Sequence, residues 1–385
     1  MKHRRRLGAL GVAALAGTLM LAGCAKDVNG PGSGASSGGG SSTGQGCKLA
    51  PQPPAAPAAA TSSQEQGAGV DGSKMRVGLA YDIGGRGDAS FNDAAYRGLE
   101  EARAKLGVKD SREVSAQPNE TEDQRQSRLR QLADDGFNPI ITVGYSYAES
   151  LKAVAKQRPN TQFAIVDDDT IKLPNVHPLV FASEQGSFLI GVAAAYKSKN
   201  CHIGFVGGVR TPLIQAFEAG YLQGAKAAAP GIRIEDDYLK PAGDNSGFND
   251  PSTASLKASG QLQKGADVIY HAAGASGKGV FDAVKQAGGG ALGIGVDSDQ
   301  YFQPTVANDK DIIMTSMVKK VDQAVFGYLA AFASNKLGGY PKRFDLSTGA
   351  VGYTRSGGKI NDITGPLDAY KQQIIDGKIQ VKDKP

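Results

Sequence analysis

From Met75 onward one pattern repeats: a short apolar run rich in Val, Ile and Leu, a Gly or Asp turn, then a helix-length segment with its apolar residues on one face. The short runs predict strands at 75–81, 139–143, 162–166, 176–181, 202–206, 232–238, 268–271, 292–296 and 312–316. The longer segments predict helices over 89–105, 121–134, 147–157, 187–198, 211–229, 252–264, 278–286 and 319–333. Strands alternating with helices imply parallel sheets covered on both faces, with any ligand beyond the carboxyl ends of the strands. The pattern runs twice, up to about Phe181 and again from about Glu184, with no Gly/Ser linker between. Two similar α/β lobes with a cleft between them are expected.

The beginning of the chain follows another pattern. Lys2, Arg4, Arg5 and Arg6 precede an apolar run from Leu7 to Leu21, shorter than the roughly 20 residues of a membrane-spanning helix, which reads as a secretory signal. The run ends in Leu21-Ala22-Gly23-Cys24, which resembles a bacterial lipobox. That resemblance implies removal of residues 1–23 and acylation of Cys24, anchoring the chain at the outer face of the cytoplasmic membrane. Each buried acyl methylene contributes roughly 0.8 kcal/mol to such an anchor. Up to about Ser73 the composition is Gly, Ser, Pro, Ala and Gln, too poor in aliphatic residues to form a core, so 24–73 is expected to be a flexible tether.

Composition matters mainly once this leader is set aside. The formal net charge of +5 loses four basic residues with 1–23, so 39 Lys+Arg face 38 Asp+Glu in the mature chain. A nucleic-acid partner is therefore not indicated. About 310 residues remain beyond the tether, more than one core usually serves. Besides Cys24, only Cys47 and Cys201 carry thiols, and outside the cell they can pair. Sequence gives no distance between them, so a disulfide and two free thiols both stay open. The four histidines show no metal-ligand spacing, and neither a metal nor a cofactor is expected.

The most informative stretch is Tyr81-Asp82-Ile83-Gly84-Gly85-Arg86-Gly87-Asp88-Ala89-Ser90-Phe91-Asn92. A strand ends at Tyr81, glycines allow a tight loop, and a helix starts near Ser90. Asp82, Ser90, Phe91 and Asn92 then crowd the carboxyl end of that strand. An aromatic beside an amide at a helix start can stack on and hydrogen-bond a flat polar ligand. The alternative is that Ser90 only caps the helix and Phe91 staples it to the core. Gly274-Ala275-Ser276-Gly277-Lys278-Gly279 looks like a phosphate loop but lacks its first glycine and its Ser/Thr after the lysine. It reads instead as a strand-to-helix turn whose backbone, at Gly274, lines the cleft. Asp167-Asp168-Asp169 suggests a metal site only superficially, because consecutive strand side chains point alternately. No nucleophile elbow, His-Glu-x-x-His helix or Cys/His pair is present, so an enzyme is not expected.

The Tyr81–Gly98 stretch resembles the signature of the basic membrane protein family, which includes purine nucleoside receptor lipoproteins. Phe163–Asp168, Ile203–Gly208, Gly265–Gly277 and Gly293–Gln300 resemble further family blocks in the same order. The resemblance implies a type I periplasmic-binding-protein fold: two Rossmann-like lobes, crossovers at a hinge, and a nucleoside enclosed when the lobes close. It implies lobes of 74–183 plus 318–340 and 184–317 plus 341–385, with crossovers near 182–185, 316–318 and 336–344. By position it places ligand contacts on Asp82, Phe91, Asn92, Asp167 or its neighbour Asp168, Asp297 and Lys319. A second base-stacking aromatic falls on Phe217, Tyr270 or Tyr145. A carboxylate at Asp297 suits a ribose diol, since carboxylates only accept and the diol donates twice. Lys319 would compensate its burial. The implied function is a monomeric solute-binding lipoprotein that hands a nucleoside, most simply a purine nucleoside, to an ABC-type permease. Receptors for a sugar or other polar solute, and a ligand sensor for a membrane kinase, are the alternatives.

Overall fold

The computed structural model describes residues 46–54, 67–117 and 119–385. The signal segment, Cys24 and much of the expected tether lie outside the described residues.

The first half of the chain runs β1 (Arg76–Tyr81), α1 (Phe91–Leu106), β2 (Asp110–Ser115), α2 (Glu122–Asp134), β3 (Ile140–Val143), α3 (Ala148–Gln157), β4 (Phe163–Val166) and β5 (Val176–Phe181). A second series follows: α4 (Ser183–Lys197), β6 (His202–Val209), α5 (Pro212–Ala228), β7 (Arg233–Lys240), α6 (Pro251–Gln263), β8 (Val268–Ala272), α7 (Gly277–Ala287), β9 (Leu292–Asp297) and β10 (Ile313–Lys319). The chain ends with α8 (Val321–Ala333), β11 (Arg343–Phe344), β12 (Val351–Tyr353) and α9 (Thr364–Ile375).

These strands make two six-stranded sheets of matching order, β2-β1-β3-β4-β5-β11 and β7-β6-β8-β9-β10-β12. All neighbours are parallel except β12, which runs antiparallel to β10. The expected two-lobed α/β architecture is the one observed. Central strands such as Ile140–Val143 and Phe163–Val166 are buried throughout, as sheets covered on both faces require. β2, with sequence DSREVS, is a half-exposed edge and carries too little apolar signal to be expected from the pattern. β11, β12 and α9 also escape that pattern, the two strands because they have only two and three residues.

Helix boundaries follow local chemistry. Thr121 and Gln124 form a reciprocal capping box at the start of α2, and Thr211 caps α5 ahead of Pro212. α4 starts at Ser183, earlier than its expected start at 187, because the chain turns directly out of β5 at Ala182. α4 packs on α5 in the second lobe, and α8 packs on α1 in the first. The α4–α5 contact is backbone-close: a Cβ on Gly224 would stand 1.9 Å from Phe188 O.

The chain thus passes between the lobes at Ala182, at Lys320 and within 345–350. The second and third passages fall just beyond the expected 316–318 and 336–344. β10 continues through the charged Lys319, which hydrophobic patterning does not count as strand, and the two-residue β11 still belongs to the first sheet.

Cys47 is disulfide-bonded to Cys201, and Ala50 N–H donates to Ala228 O at 2.8 Å. Residues 46–54 therefore lie beside the ends of α4 and α5 in the second lobe. Gly72 N–H, by contrast, donates to Leu106 O in the first lobe. Thiol reduction is expected to raise amide exchange at 46–54 before any core strand. Its effect on unfolding free energy should stay below the roughly 5 kcal/mol of the chain-entropy description, since the freed segment gains freedom in the folded state too. Hydrogen exchange with and without reductant checks this; unchanged protection at Ala50 would contradict it.

Candidate functional site

The carboxyl ends of both sheets face a common cavity. It holds about 550 Å³ of empty space, counted out to its mouth. Its first-lobe wall includes Asp82, Asp88, Phe91, Asn92, Tyr145 and Asp167. Its second-lobe wall includes Phe217, Phe248, Gly274, Asp297 and Lys319, with Leu213 and Ile214 adding aliphatic surface.

One carboxylate organises the first wall. Asp88 accepts from the backbone N–H groups of Ser90 at 2.9 Å, Asn92 at 2.8 Å and Asp93 at 3.2 Å, satisfying donors that the first turn of α1 cannot pair internally. Asp88, rather than Ser90, is the cap. The Ser90 hydroxyl is turned elsewhere, 3.1 Å from both Val296 O and Asp297 Oδ2 of the other lobe. Asn92 Oδ1 accepts from Asp82 N–H at 3.0 Å, so the donor end of its amide is what it offers a ligand.

Asp82 is buried, and its Oδ1 accepts from Ile83 N–H and the Ser146 hydroxyl, each at 2.7 Å. Burial outweighs these bonds and pushes its pKa up to about 6. Burial likewise raises Asp88 to about 6, against its three backbone donors. The carboxylate of Asp82 fits only because residue 144 is glycine: φ is +103°, and a Cβ there would stand 2.1 Å from Asp82 Oδ2.

At the other end, Lys319 Nζ lies 2.5 Å from Asp167 Oδ2 and 3.9 Å from Asp297 Oδ1, with side-chain exposures of 1%, 3% and 10%. The ammonium also lies 5.0 Å from the ring centre of Phe91, 5.2 Å from Phe181 and 5.4 Å from Phe217. These aromatic faces stabilise a desolvated cation. Asp167 follows β4 and Asp297 ends β9, matching places in the two sheets, and both have positive φ, +66° and +63°. Aspartate tolerates this conformation better than most residues, at a cost of about 1–3 kcal/mol. Two carboxylates around one ammonium leave one excess negative charge in a buried place. Burial accordingly raises the Asp297 pKa, with Asp167 adding to the shift and Lys319 and Ser90 opposing it. Oδ1 of Asp167 and Oδ1 of Asp297 are both buried and accept no hydrogen bond.

The structure therefore brings Asp82, Phe91, Asn92, Tyr145, Asp167, Phe217, Gly274, Asp297 and Lys319 to one cavity. Ser90 stands behind Asp297. Asp168 does not line the cavity: its carboxylate turns back to the N–H and hydroxyl of Thr170. Tyr270 does not line it either, being fully buried in β8 with its hydroxyl 3.2 Å from Ser187 Oγ. Tyr145 reaches across and donates to Asn245 Oδ1 at 2.7 Å. Sequence reading missed Asp88 and Phe248. The first could have been found as an acidic residue three positions ahead of a helix start, and the second as a lone aromatic in the polar segment after β7.

The description of the Bmp family, ABC transporter substrate-binding proteins of PnrA-like type, matches residues 74–384. The chain belongs to the Bmp family. A CD4+ T-cell-stimulating antigen of Listeria innocua is 34% identical over 342 residues, covering 85% of this chain and 94% of its own. The ABC transporter nucleoside-binding protein BmpA of Lactococcus lactis is 28% identical, with 80% and 90% covered. A solved ABC transporter solute-binding protein from Aeropyrum pernix superposes with a TM-score of 0.66 at 25% identity, covering 80% of this chain and 92% of its own. This Bmp-family chain is an extracytoplasmic substrate-binding protein that serves a transporter permease with a small molecule, not an enzyme. No helix among the described residues is long and apolar enough to cross a membrane.

Replacing the cation tests the charge balance of the site. Lys319→Met leaves Asp167 and Asp297 buried together and should destabilise the fold by about 3–5 kcal/mol at pH 8. With Lys319 no longer opposing burial, the folded-state pKa of Asp297 rises further, so folding takes up a proton and stability returns as pH falls. Urea unfolding at pH 5 and pH 8 checks this; an equal loss at both would contradict it.

Proposed function

We propose that this Bmp-family protein is a nucleoside receptor, with purine nucleosides preferred, held as a monomer at the outer face of the cytoplasmic membrane by an acylated Cys24. The observation that carries the nucleoside reading is the pair of buried acceptors, Oδ1 of Asp167 and Oδ1 of Asp297, on either side of Lys319. A ribose diol supplies two hydroxyl donors to such acceptors and satisfies them by hydrogen bonding. The rest of the cavity suits a flat heterocycle: Phe91 and Phe217 offer ring faces, Leu213, Ile214 and Phe248 offer apolar contact, and Asn92 and Asp82 offer polar edges. The Lactococcus lactis relative, a nucleoside-binding protein by name, agrees with this reading. A bare sugar would satisfy only the acid–lysine end and leave the aromatic end against water. The anchor reading is supported by the lipobox-like Leu21–Cys24.

In this reading the lobes close on the solute by bending at Ala182, Lys320 and 345–350, and the closed form docks on the permease. The mechanism is a population shift driven by binding.

Calorimetric titration of residues 26–385, unfolded and refolded with the disulfide intact to remove carried-over solute, tests the assignment. Adenosine, guanosine and inosine should bind one to one, and adenine and ribose far more weakly. Asp297→Ala and Phe91→Ala should each lose roughly 10- to 150-fold in affinity, as expected for about 1.5–3 kcal/mol of lost charged hydrogen bonding or base stacking. No heat from any nucleoside with a folded protein would end the assignment.

The pH dependence follows from Asp82. A ligand that donates to its carboxylate selects the ionised form, so affinity should be flat above pH 7 and fall below about 6, approaching tenfold per unit. Titrations from pH 5 to 8 should show this slope and Asp82→Asn should remove it; an unchanged slope in the variant would assign the proton elsewhere.

A further inference from the structure

Outside the cavity, the loop after β9 grips the start of α1 across the cleft. Ser298 Oγ donates to Ser90 O at 2.8 Å, and Arg97 Nη2 donates to Ser298 Oγ at 2.8 Å. Gln300 Nε2 reaches Ala89 O at 3.4 Å, while its Oε1 accepts from Val296 N–H at 3.0 Å and its N–H donates to Ser316 Oγ at 3.2 Å. Ser90, Ser298 and Gln300 are buried. Arg97, Ser298 and Gln300 line no part of the cavity. These bonds join 89–97 of the first lobe to 298–300 of the second, and Ala89 is held there at φ +55°, a conformation alanine rarely adopts.

We propose that Arg97, Ser298 and Gln300 are positioning residues that form a closure latch, setting how long the lobes stay shut on a solute and coupling closure to the state of Asp297. The coupling runs through Ser90. Its carbonyl accepts the latch bond from Ser298, and its hydroxyl stands 3.1 Å from Asp297 Oδ2. Closing the latch therefore delivers a first-lobe donor to a second-lobe carboxylate, favouring the ionised form that accepts ligand hydroxyls. Opening withdraws that donor, weakening the hold of Asp297 on the solute as the cleft widens. Gln300 braces the second-lobe side by tying the loop to β9 and β10. Because the latch touches no solute, it acts on release rather than capture: the encounter happens in the open form, before the bonds exist.

The inference rests on the receptor reading but not on the identity of the solute. The full chain, solubilised in detergent, is mixed rapidly with adenosine, guanosine or inosine and followed by tyrosine fluorescence, since the chain has no tryptophan. Arg97→Met should speed dissociation about five- to tenfold, the size expected for one lost interlobe hydrogen bond, and Ser298→Ala, which removes two, by at least as much, with association within twofold for both. Ser298→Thr, which keeps the hydroxyl, should restore the slow rate, and the double variant should add little to Ser298→Ala. Unchanged dissociation, an equal change in both rates, or failure of threonine to rescue would overturn the latch. If no nucleoside binds the unaltered protein, hydrogen exchange decides. Ser298→Ala should then lose protection at 89–97 and 296–300 while β1 and β9 interiors keep theirs, and identical protection in variant and parent would overturn the latch.

Discussion

Lys319 is the charge on which the cleft depends. It sits at the last position of β10, one residue before the chain passes into the first lobe, and its ammonium is shared between Asp167 of the first sheet and Asp297 of the second. Such an arrangement is poor at adding stability, because desolvating three charges offsets most of their attraction. Its value is that it ties three elements from two lobes to one geometry. The aromatic rings of Phe91, Phe181 and Phe217 lower the penalty for the cation, and the excess negative charge leaves acceptors in need of donors.

Two lobes of the same strand order place equivalent residues opposite one another. Asp167 and Asp297 leave their sheets in the same left-handed conformation, and each is the residue where a strand hands over to a loop. Gly144 and Gly274, after β3 and β8, also have positive φ and begin short turns into α3 and α7. The site is asymmetric in chemistry all the same. Asp82 closes the end of β1, while the corresponding β6 runs on to Val209 and contributes aliphatic neighbours from the start of α5.

Much of this was legible in the residues. Parallel strands covered on both faces leave apolar runs that patterning detects, so the two sheets emerged apart from the polar edge β2 and the short β11 and β12. Polar side chains that end strands, such as Asp82 and Asp297, were legible because the fold sends strand ends to the cleft. What stayed hidden depended on rotation and neighbours. Asp167 and Asp168 differ by one position, and only the backbone turn at 167 sends the first into the cavity and the second toward Thr170. Tyr270 and Phe217 are both aromatics of the second lobe, yet one points into the core beside Tyr221 and the other into the cavity. The cap at Asp88 was obscured by Ser90, a better-known cap residue that the structure uses for a bond between lobes.

The disulfide between Cys47 and Cys201 changes which part of the molecule is the frame and which part swings. Without it, a pull on the N-terminal stretch would enter through Gly72 and Met75, at the root of the first sheet. With it, the pull arrives at the foot of β6, and the second lobe takes the load. A chain held by its beginning is then held by its second lobe, and the first lobe, carrying Asp82, Phe91 and Asn92, is the jaw left free to turn.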